Sequence, residues 1–155
     1  MKKLALCFIL AAIVSAPYFR ILAQDPEEEL TGLLERIEAL VTTLYQQNYT
    51  IVHIEVDKLQ ADQTYTASRK LFSENDYAII GVGGIGIADL DLELRDENDN
   101  LIDKDESEDN IPVLEVSPKK DGKYYIKTKV YSLEEGANAD DEYFFCWIIG
   151  FKRGE

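Results

Sequence analysis

Five aspartates in the middle of the chain are the residues best suited to chemistry. Asp89 and Asp91 alternate with leucines in "ADLDLELRD", so both carboxylates would project from one strand face about 7 Å apart. The segment that follows adds Asp103, Asp105 and Asp109. Calcium binds roughly six to eight oxygens, and a bound cation relieves the repulsion between crowded carboxylates. The five aspartates are therefore a candidate calcium site. The alternative is an outward strand face and a solvated loop, balanced by Arg95 and Lys104.

The stretch "DENDN", residues 96–100, has the oxygen spacing that begins an EF-hand loop. That loop needs a glycine at its sixth position and a glutamate at its twelfth, where this chain has Leu101 and Ser107. No helix is predicted on either side. The sequence therefore excludes a helical calcium hand and predicts a turn between two strands.

The segment "GVGGIGI" contains the spelling of a dinucleotide-binding turn, with Gly81, Gly83 and Gly86 in the required places. Such a turn binds pyrophosphate only when it opens a helix. Here it is followed by "IADLDLELRD", which alternates as a strand does. We therefore expect no nucleotide, and we expect the glycines to let one strand end, bend and re-enter the sheet.

The residues typical of nucleophilic catalysis are few and far apart. Cys146 lies in the apolar run "EYFFCWIIGF", which predicts a small buried side chain rather than a thiolate. His53, the one histidine, sits in an ordinary strand pattern, "TIVHIEV". Zinc lacks its usual His and Cys ligands. The sequence therefore predicts a protein that is not an enzyme and has no cofactor other than the candidate Ca²⁺.

The N-terminus has the pattern of an export signal. "MKK" is followed by the apolar run "LALCFILAAIVSA", and cleavage after Ala23 gives a signal peptide of residues 1–23. Cleavage after Ala16 is less favourable because Pro17 follows, and an uncleaved anchor is the remaining alternative. We expect an exported protein, periplasmic or secreted, with no membrane contact unless the signal stays uncleaved.

The 155 residues carry a formal charge of −14, which fits a soluble acidic exported protein. This charge argues against binding DNA, RNA or an anionic membrane, since each requires a basic face. The charge is compatible with cations, basic partners or neutral sugars.

Hydrophobic periodicity changes once along the chain. Residues 25–48 predict one amphipathic helix, because apolar residues recur at intervals of three and four from Leu30 to Leu44. Residues 49–155 alternate with period two between turn signals, with no further helix, which predicts an antiparallel β-sandwich. The last strand, "YFFCWIIGF", is apolar on both faces, as a central covered strand is. The helix stripe either packs on the sandwich or docks on another molecule.

Aromatic residues are frequent late in the chain: Tyr124, Tyr125, Tyr131, Tyr143 and Trp147. Exposed aromatics on a sandwich can stack on sugar rings, whereas most aromatics in strands belong to the core. A sugar-binding face is therefore an alternative to a purely structural role.

Residues from about Gln63 to Phe151 resemble the bacterial pre-peptidase C-terminal domain. The resemblance is carried by "QTYTASRKLFSENDYAIIGVGG", by "DLDLELRDENDNLIDKDES" and by "IPVLEVSPKKDGKYYIKTKVY". It implies a mainly β, jelly-roll-like sandwich that acts as a non-catalytic binding or secretion-associated module. No peptidase precedes the sandwich here, which favours a free-standing protein.

These observations together predict an exported, non-enzymatic β-sandwich binding module, stabilised by calcium if the aspartates hold it. Its partner would be a protein or a glycan. The alternatives are an envelope or secretion accessory protein that docks through its N-terminal helix, and a carbohydrate-binding module.

Overall fold

The structure, a computed structural model, describes residues 26–154 as one helix followed by eight strands. The helix α1 spans Pro26–Gln46. The strands are β1 (Thr50–Leu59), β2 (Thr64–Leu71), β3 (Asn75–Gly83), β4 (Ile87–Asp96), β5 (Leu101–Asp105), β6 (Val113–Val116), β7 (Gly122–Leu133) and β8 (Tyr143–Arg153). The predicted signal peptide, residues 1–23, lies outside the described residues.

The strands form two four-stranded antiparallel sheets that face each other. Sheet A has the order β1-β8-β3-β6, and sheet B has the order β2-β7-β4-β5. Strand β1 pairs with β8, β2 with β7, β3 with β6, and β4 with β5. These are the pairs of one long hairpin rolled into two layers, which is the jelly-roll topology. The predicted fold, an antiparallel jelly-roll-like sandwich with one N-terminal helix, is confirmed.

The core between the sheets follows the period-two pattern of the sequence. Leu90, Leu92 and Leu94 on β4 are all at most 1% exposed. They meet the large inward side chains of β8, Phe145 and Trp147, which are fully buried. Alternation alone therefore placed the central leucines of sheet B correctly.

The helix α1 covers the outer face of sheet A. Its first turn carries three glutamates, which the positive end of the helix dipole stabilises. Its stripe of Leu33, Ile37, Leu40 and Leu44 is buried against outward side chains of β3 and β8, including Cys146 and Ile148. This second core explains why β8 is apolar on both faces. Within residues 26–154, no helix combines the length and apolarity needed to cross a bilayer.

The helix ends in a Schellman motif at Asn48. The Tyr49 N–H donates to the carbonyl of Leu44 at 2.9 Å, and the Asn48 N–H donates to that of Tyr45 at 3.0 Å. Asn48 has a φ of 63°, a left-handed conformation that asparagine tolerates better than most residues. Tyr49 is buried, and the chain turns directly into β1.

The glycine segment carries the chain from β3 in sheet A to β4 in sheet B. A Cβ on Gly84 would stand 2.6 Å from the carbonyl oxygen of Phe144, and Gly86 has a φ of 95°. The expected bend is therefore present, but the chain enters the opposite sheet instead of returning to its own. Arg36 of the helix holds the bend in place, since it donates to the Gly83 carbonyl at 2.5 Å and to Asn110 Oδ1 at 2.8 Å.

Candidate functional site

Asp89 lies in a β-bulge near the start of β4. The register of β4 against β7 shifts on both sides of Asp89, and the regular alternation starts only after it. The side chain is consequently buried, with 7% of its surface exposed, although the sequence pattern placed it on the solvent face. Its Oδ1 is buried and has no hydrogen-bond partner among the described residues.

The other four aspartates of the predicted set surround this point only in part. Asp91 pairs with Lys129 on the outer face of sheet B. Asp105 pairs with Leu92 and lies on the same inward face of sheet B. The Oδ2 of Asp105 accepts a hydrogen bond from the Val113 N–H at 2.8 Å.

The remaining two aspartates of the set are Asp109 and Asp103. Asp109 accepts a hydrogen bond from the Ile111 N–H at 2.8 Å. Asp103 pairs with Leu94, two positions farther along the edge.

The carboxylates nearest Asp89 interact with it electrostatically. Burial raises the pKa of Asp89, and the charges of Asp91, Asp109, Glu108 and Asp105 raise it further. Burial also raises the pKa of Asp91, with Glu106 and Asp105 adding to the effect and Lys129 and Lys104 opposing it. Among residues 26–154, no group of three or more acids, histidines or cysteines is placed to hold a metal ion. The calcium site stays a prediction.

The "DENDN" stretch forms the turn between β4 and β5. Asp96 Oδ1 accepts from the backbone N–H groups of Asn98 at 2.8 Å and Asn100 at 2.9 Å, and Oδ2 accepts from the Asn100 side chain at 3.0 Å. The hydrogen bonds from Asn100 and Asn98 lower the pKa of Asp96. Asp99 adopts a φ of 62°. The oxygens that resembled calcium ligands therefore close a hairpin turn.

Cys146 is a buried thiol. It faces the helix side of sheet A, has no exposed surface, and its pKa is raised by burial to about 12. A thiol with this pKa holds almost no thiolate at neutral pH.

A polar cluster that the sequence pattern did not predict lies at the open edge where β1 and β2 face each other. Glu55 on β1 accepts a hydrogen bond from the Tyr65 hydroxyl on β2, and its Oε2 lies 2.5 Å from Nη2 of Arg69. The Nε2 of His53 lies 2.9 Å from Oε2 of Glu55 and 2.6 Å from Nη2 of Arg69. A protonated Nε2 donates to Glu55, whereas an unprotonated one accepts from Arg69. Four side chains thus join sheet A to sheet B.

Electrostatics within this edge cluster favour the charged carboxylate. Burial raises the pKa of Glu55, but the hydrogen bonds from Tyr65 and His53 and the charge of Arg69 outweigh it, and the pKa is lowered. The same hydrogen bond with Glu55 raises the pKa of Tyr65 to about 12. Glu55 is therefore ionised at neutral pH, and its contact with Arg69 fixes the guanidinium.

The fixed guanidinium lies over Trp147 and beside a groove. The Arg69 carbon Cζ is 4.8 Å from the centre of the Trp147 ring, and Nη1 donates to the Ser68 carbonyl at 2.8 Å. The groove has a volume of about 570 Å³. We call it the edge groove, and its lining residues are Val52, His53, Arg69, Lys70, Leu71, Phe72, Glu74, Asn75, Tyr77, Ile149, Phe151 and Arg153.

Strand alternation was the only sequence signal for the edge groove. It places His53 and Glu55 on one face of β1, and Tyr65 and Arg69 on one face of β2. Nothing local shows that the two faces meet, because β1 and β2 belong to different sheets and contact each other across the sandwich edge. The cluster can therefore be recognised only when the arrangement of the two sheets is known.

The late aromatic residues divide between core and surface. Tyr124 and Trp147 are buried in the core. Tyr125 and Tyr131 lie on β7, where Tyr131 is 62% exposed and Tyr125 partly exposed. Lys123 lies over the Tyr125 ring at 5.1 Å, and Lys129 over the Tyr131 ring at 5.4 Å.

Neither a scan against protein-family models nor a search of curated proteins finds a match to this chain.

Proposed function

We propose that this protein is an exported, non-enzymatic binding module that holds its ligand in the edge groove. The observation that carries the proposal is the guanidinium of Arg69, fixed by Glu55 over Trp147 beside a groove of about 570 Å³. Small-molecule sites are typically concave, mostly apolar, of about 300–1,000 Å³, with a few fixed polar groups. The edge groove has these properties.

The polar groups of the groove favour binding over catalysis. A histidine base needs a nucleophile within hydrogen-bond reach. The described lining residues include no serine, threonine or cysteine, and His53 Nε2 is already close to both Arg69 and Glu55. The thiol of Cys146 lies on the opposite face of sheet A. These contacts orient Arg69 and occupy the Nε2 of His53.

A fragment screen observed by amide NMR tests the proposal. We expect compounds that shift the resonances of groove residues and, through the Arg69 guanidinium that lies over its ring, the indole N–H of Trp147. We expect the shifts to weaken in Arg69→Met. Lys119→Met is the matched control, because Lys119 is exposed and does not line the groove. A groove in which no compound shifts a resonance would contradict the proposal. So would hydrolysis of chromogenic esters or glycosides that is lost in His53→Ala.

The export part of the proposal rests on residues 1–23, outside the described part of the chain. Mass spectrometry of the protein from the producing cells should give a mature N-terminus at Gln24. A full-length chain in the cytoplasm would contradict export, and a full-length chain in the membrane would favour the uncleaved anchor.

Identity with the pre-peptidase C-terminal domain is part of the same proposal. The order of the strands is compatible with it, since the resemblance implies a jelly-roll-like sandwich. A crystal structure of such a domain with the same strand order and the same glycine crossover would support the identity, and a different order would contradict it.

A carbohydrate-binding module is the second candidate function. The helix covers sheet A, whereas the outer face of sheet B carries Tyr125 and the 62% exposed Tyr131. Aromatic rings presented this way can stack on sugar rings. A glycan array probed with wild type and with Tyr131→Ala tests this candidate, and equal binding by both proteins would contradict it.

Docking through the helix has narrower support. The buried stripe of α1 is occupied by sheet A, so docking would use its other side, where Leu34 is 50% and Tyr45 59% exposed. Loss of a co-purified envelope partner in Leu34→Glu would support this alternative, and retention of that partner would contradict it.

A further inference from the structure

The charge of the edge groove differs from that of the rest of the chain. The whole chain carries a formal charge of −14. Among the described residues that line the groove, the permanent cations are Arg69, Lys70 and Arg153, and the one carboxylate is Glu74. Glu55 pairs with Arg69 in the edge cluster without lining the groove, and when it is counted the cations still outnumber the carboxylates by three to two. A local excess of positive charge in an acidic protein favours an anionic ligand group.

Apart from the charged residues, His53 and Asn75, the groove lining is apolar or aromatic. Leu71, Tyr77 and Ile149 belong to the buried core between the sheets, and Phe151 packs against it. Phe72 and Val52 form the outer part of the lining and are 37% and 53% exposed. A ligand that covers these two side chains buries apolar surface, which contributes about 25 cal/mol per Å².

We infer that the ligand of the edge groove is an anionic amphiphile: a molecule with one carboxylate, sulfate or phosphate group and an alkyl or aryl body. The anionic group would contact the cationic side chains, and the apolar body would lie along Phe72 and Val52. The Arg69 guanidinium is already oriented by Glu55, by His53 and by the Ser68 carbonyl, so little side-chain entropy is lost on binding. This inference rests on the proposed function, since it names the class of ligand for the same groove.

The test uses sodium decanoate below its micelle concentration, with decyl maltoside and decyltrimethylammonium as uncharged and cationic probes of the same chain length. Trp147 is the one tryptophan in the sequence, and the guanidinium of the lining residue Arg69 lies over its ring, so its fluorescence and its indole N–H resonance respond to changes at Arg69. We expect a saturable change with decanoate and none with the other two probes. Decyl maltoside binding as tightly as decanoate would overturn the inference.

Two pairs of variants locate the binding. Val52→Asp places a carboxylate at the mouth of the groove, and Val56→Asp makes the same change on the same strand, on the face that pairs with Cys146. We expect Val52→Asp to weaken decanoate binding about tenfold or more and Val56→Asp to leave it unchanged. Lys70→Gln should likewise weaken binding, whereas Lys119→Gln, outside the groove, should not. Equal affinities within each pair would overturn the inference.

The outcomes separate this inference from the proposed function. A groove that binds uncharged or cationic fragments but not decanoate overturns the choice of an anionic amphiphile and leaves binding in the groove intact. A groove that binds neither decanoate nor any fragment overturns both.

Discussion

Asp89 owes its burial to the irregular register at the start of β4. Had the period-two pattern continued, its carboxylate would face water beside Asp91. The bulge instead leaves Oδ1 buried without a hydrogen-bond partner, among the charges of several other acids. A buried polar atom without a partner costs free energy of folding, so this residue lowers the stability of the protein at neutral pH.

Replacing Asp89 with asparagine should stabilise the protein in a pH-dependent way. The pKa of Asp89 is raised in the folded state above its unfolded value of 3.8. The stability that the protonated side chain contributes is therefore fully present below pH 3.8 and is lost as the pH rises through the folded pKa. We expect Asp89→Asn to raise the free energy of unfolding by about 1–3 kcal/mol at pH 7, with the gain shrinking towards pH 4. Urea unfolding across this pH range measures it.

Asp140→Asn is the control for Asp89→Asn, because it removes the same charge from an exposed loop position. A gain in Asp140→Asn equal to that in Asp89→Asn would show that net charge, and not burial, is responsible.

The calcium prediction has its own test. If Asp89, Asp91 and their neighbours share a Ca²⁺, calcium chloride should raise the melting temperature of the wild type more than magnesium chloride does. Asp91→Ala should remove the difference, because it deletes a carboxylate that acts directly on Asp89. Differential scanning calorimetry in the presence and absence of a chelator gives the answer. A wild type that responds equally to both cations would contradict the prediction.

At the scale of elements, two short connections determine where the helix and β3 end. The helix α1 stops because Asn48 takes a left-handed conformation that turns the chain at Tyr49, so that the following strand, β1, pairs at the edge of sheet A. The glycine crossover after β3 depends on a close approach instead, because a Cβ on Gly84 would stand 2.6 Å from the carbonyl oxygen of Phe144. Each connection depends on a residue that tolerates unusual geometry.

Substitutions at Asn48 should separate conformation from side-chain chemistry. Asn48→Gly should be neutral or stabilising by up to about 1 kcal/mol, because glycine adopts positive φ without strain. Asn48→Ala should cost about 1 kcal/mol, because alanine resists that conformation. Thermal unfolding compares both with Gln46→Ala, an exposed position in the last turn of the helix, where we expect no change. Destabilisation by Asn48→Gly would show that the side chain itself holds the cap.

Elements whose periodicity is local could be predicted from the sequence, whereas contacts between distant elements could not. The leucines of β4 and the stripe of α1 follow from spacing alone, and both are buried. The bulge at Asp89 has no signature in "ADLDLELRD", because it depends on the partner strand β7. The edge cluster was missed for a related reason, since His53 and Arg69 meet only when both sheets are in place.

At the scale of the whole molecule, helix α1 contributes to the folded core and is not an appendage. It closes a second core on the outer face of sheet A, where four of its apolar side chains are buried. Each such side chain contributes about 1.5–3 kcal/mol, so the four together match the whole net stability of a typical domain, about 5–15 kcal/mol. The sandwich and the helix should therefore unfold together.

Two leucines in the same helix test this dependence. Leu40 is 1% exposed against sheet A, whereas Leu34 is 50% exposed. We expect Leu40→Ala to cost about 2–5 kcal/mol and Leu34→Ala less than about 0.5 kcal/mol. Denaturant unfolding followed by far-UV circular dichroism measures both. Equal costs, or a helix that melts before the strands, would contradict a single cooperative unit.

The nested order of the strands constrains when the chain can fold during synthesis. Residues 143–153 form β8, which lies between β1 and β3, so sheet A cannot assemble before β8 leaves the ribosome. Until then the helix has no complete surface to cover, and long-range pairing of this kind is slow. Until β8 is made, sheet A stays open and the chain keeps the unfolded form that threading through a narrow channel requires. Ribosome-stalled chains ending before Tyr143 should accordingly be digested by protease, whereas released chains should resist it.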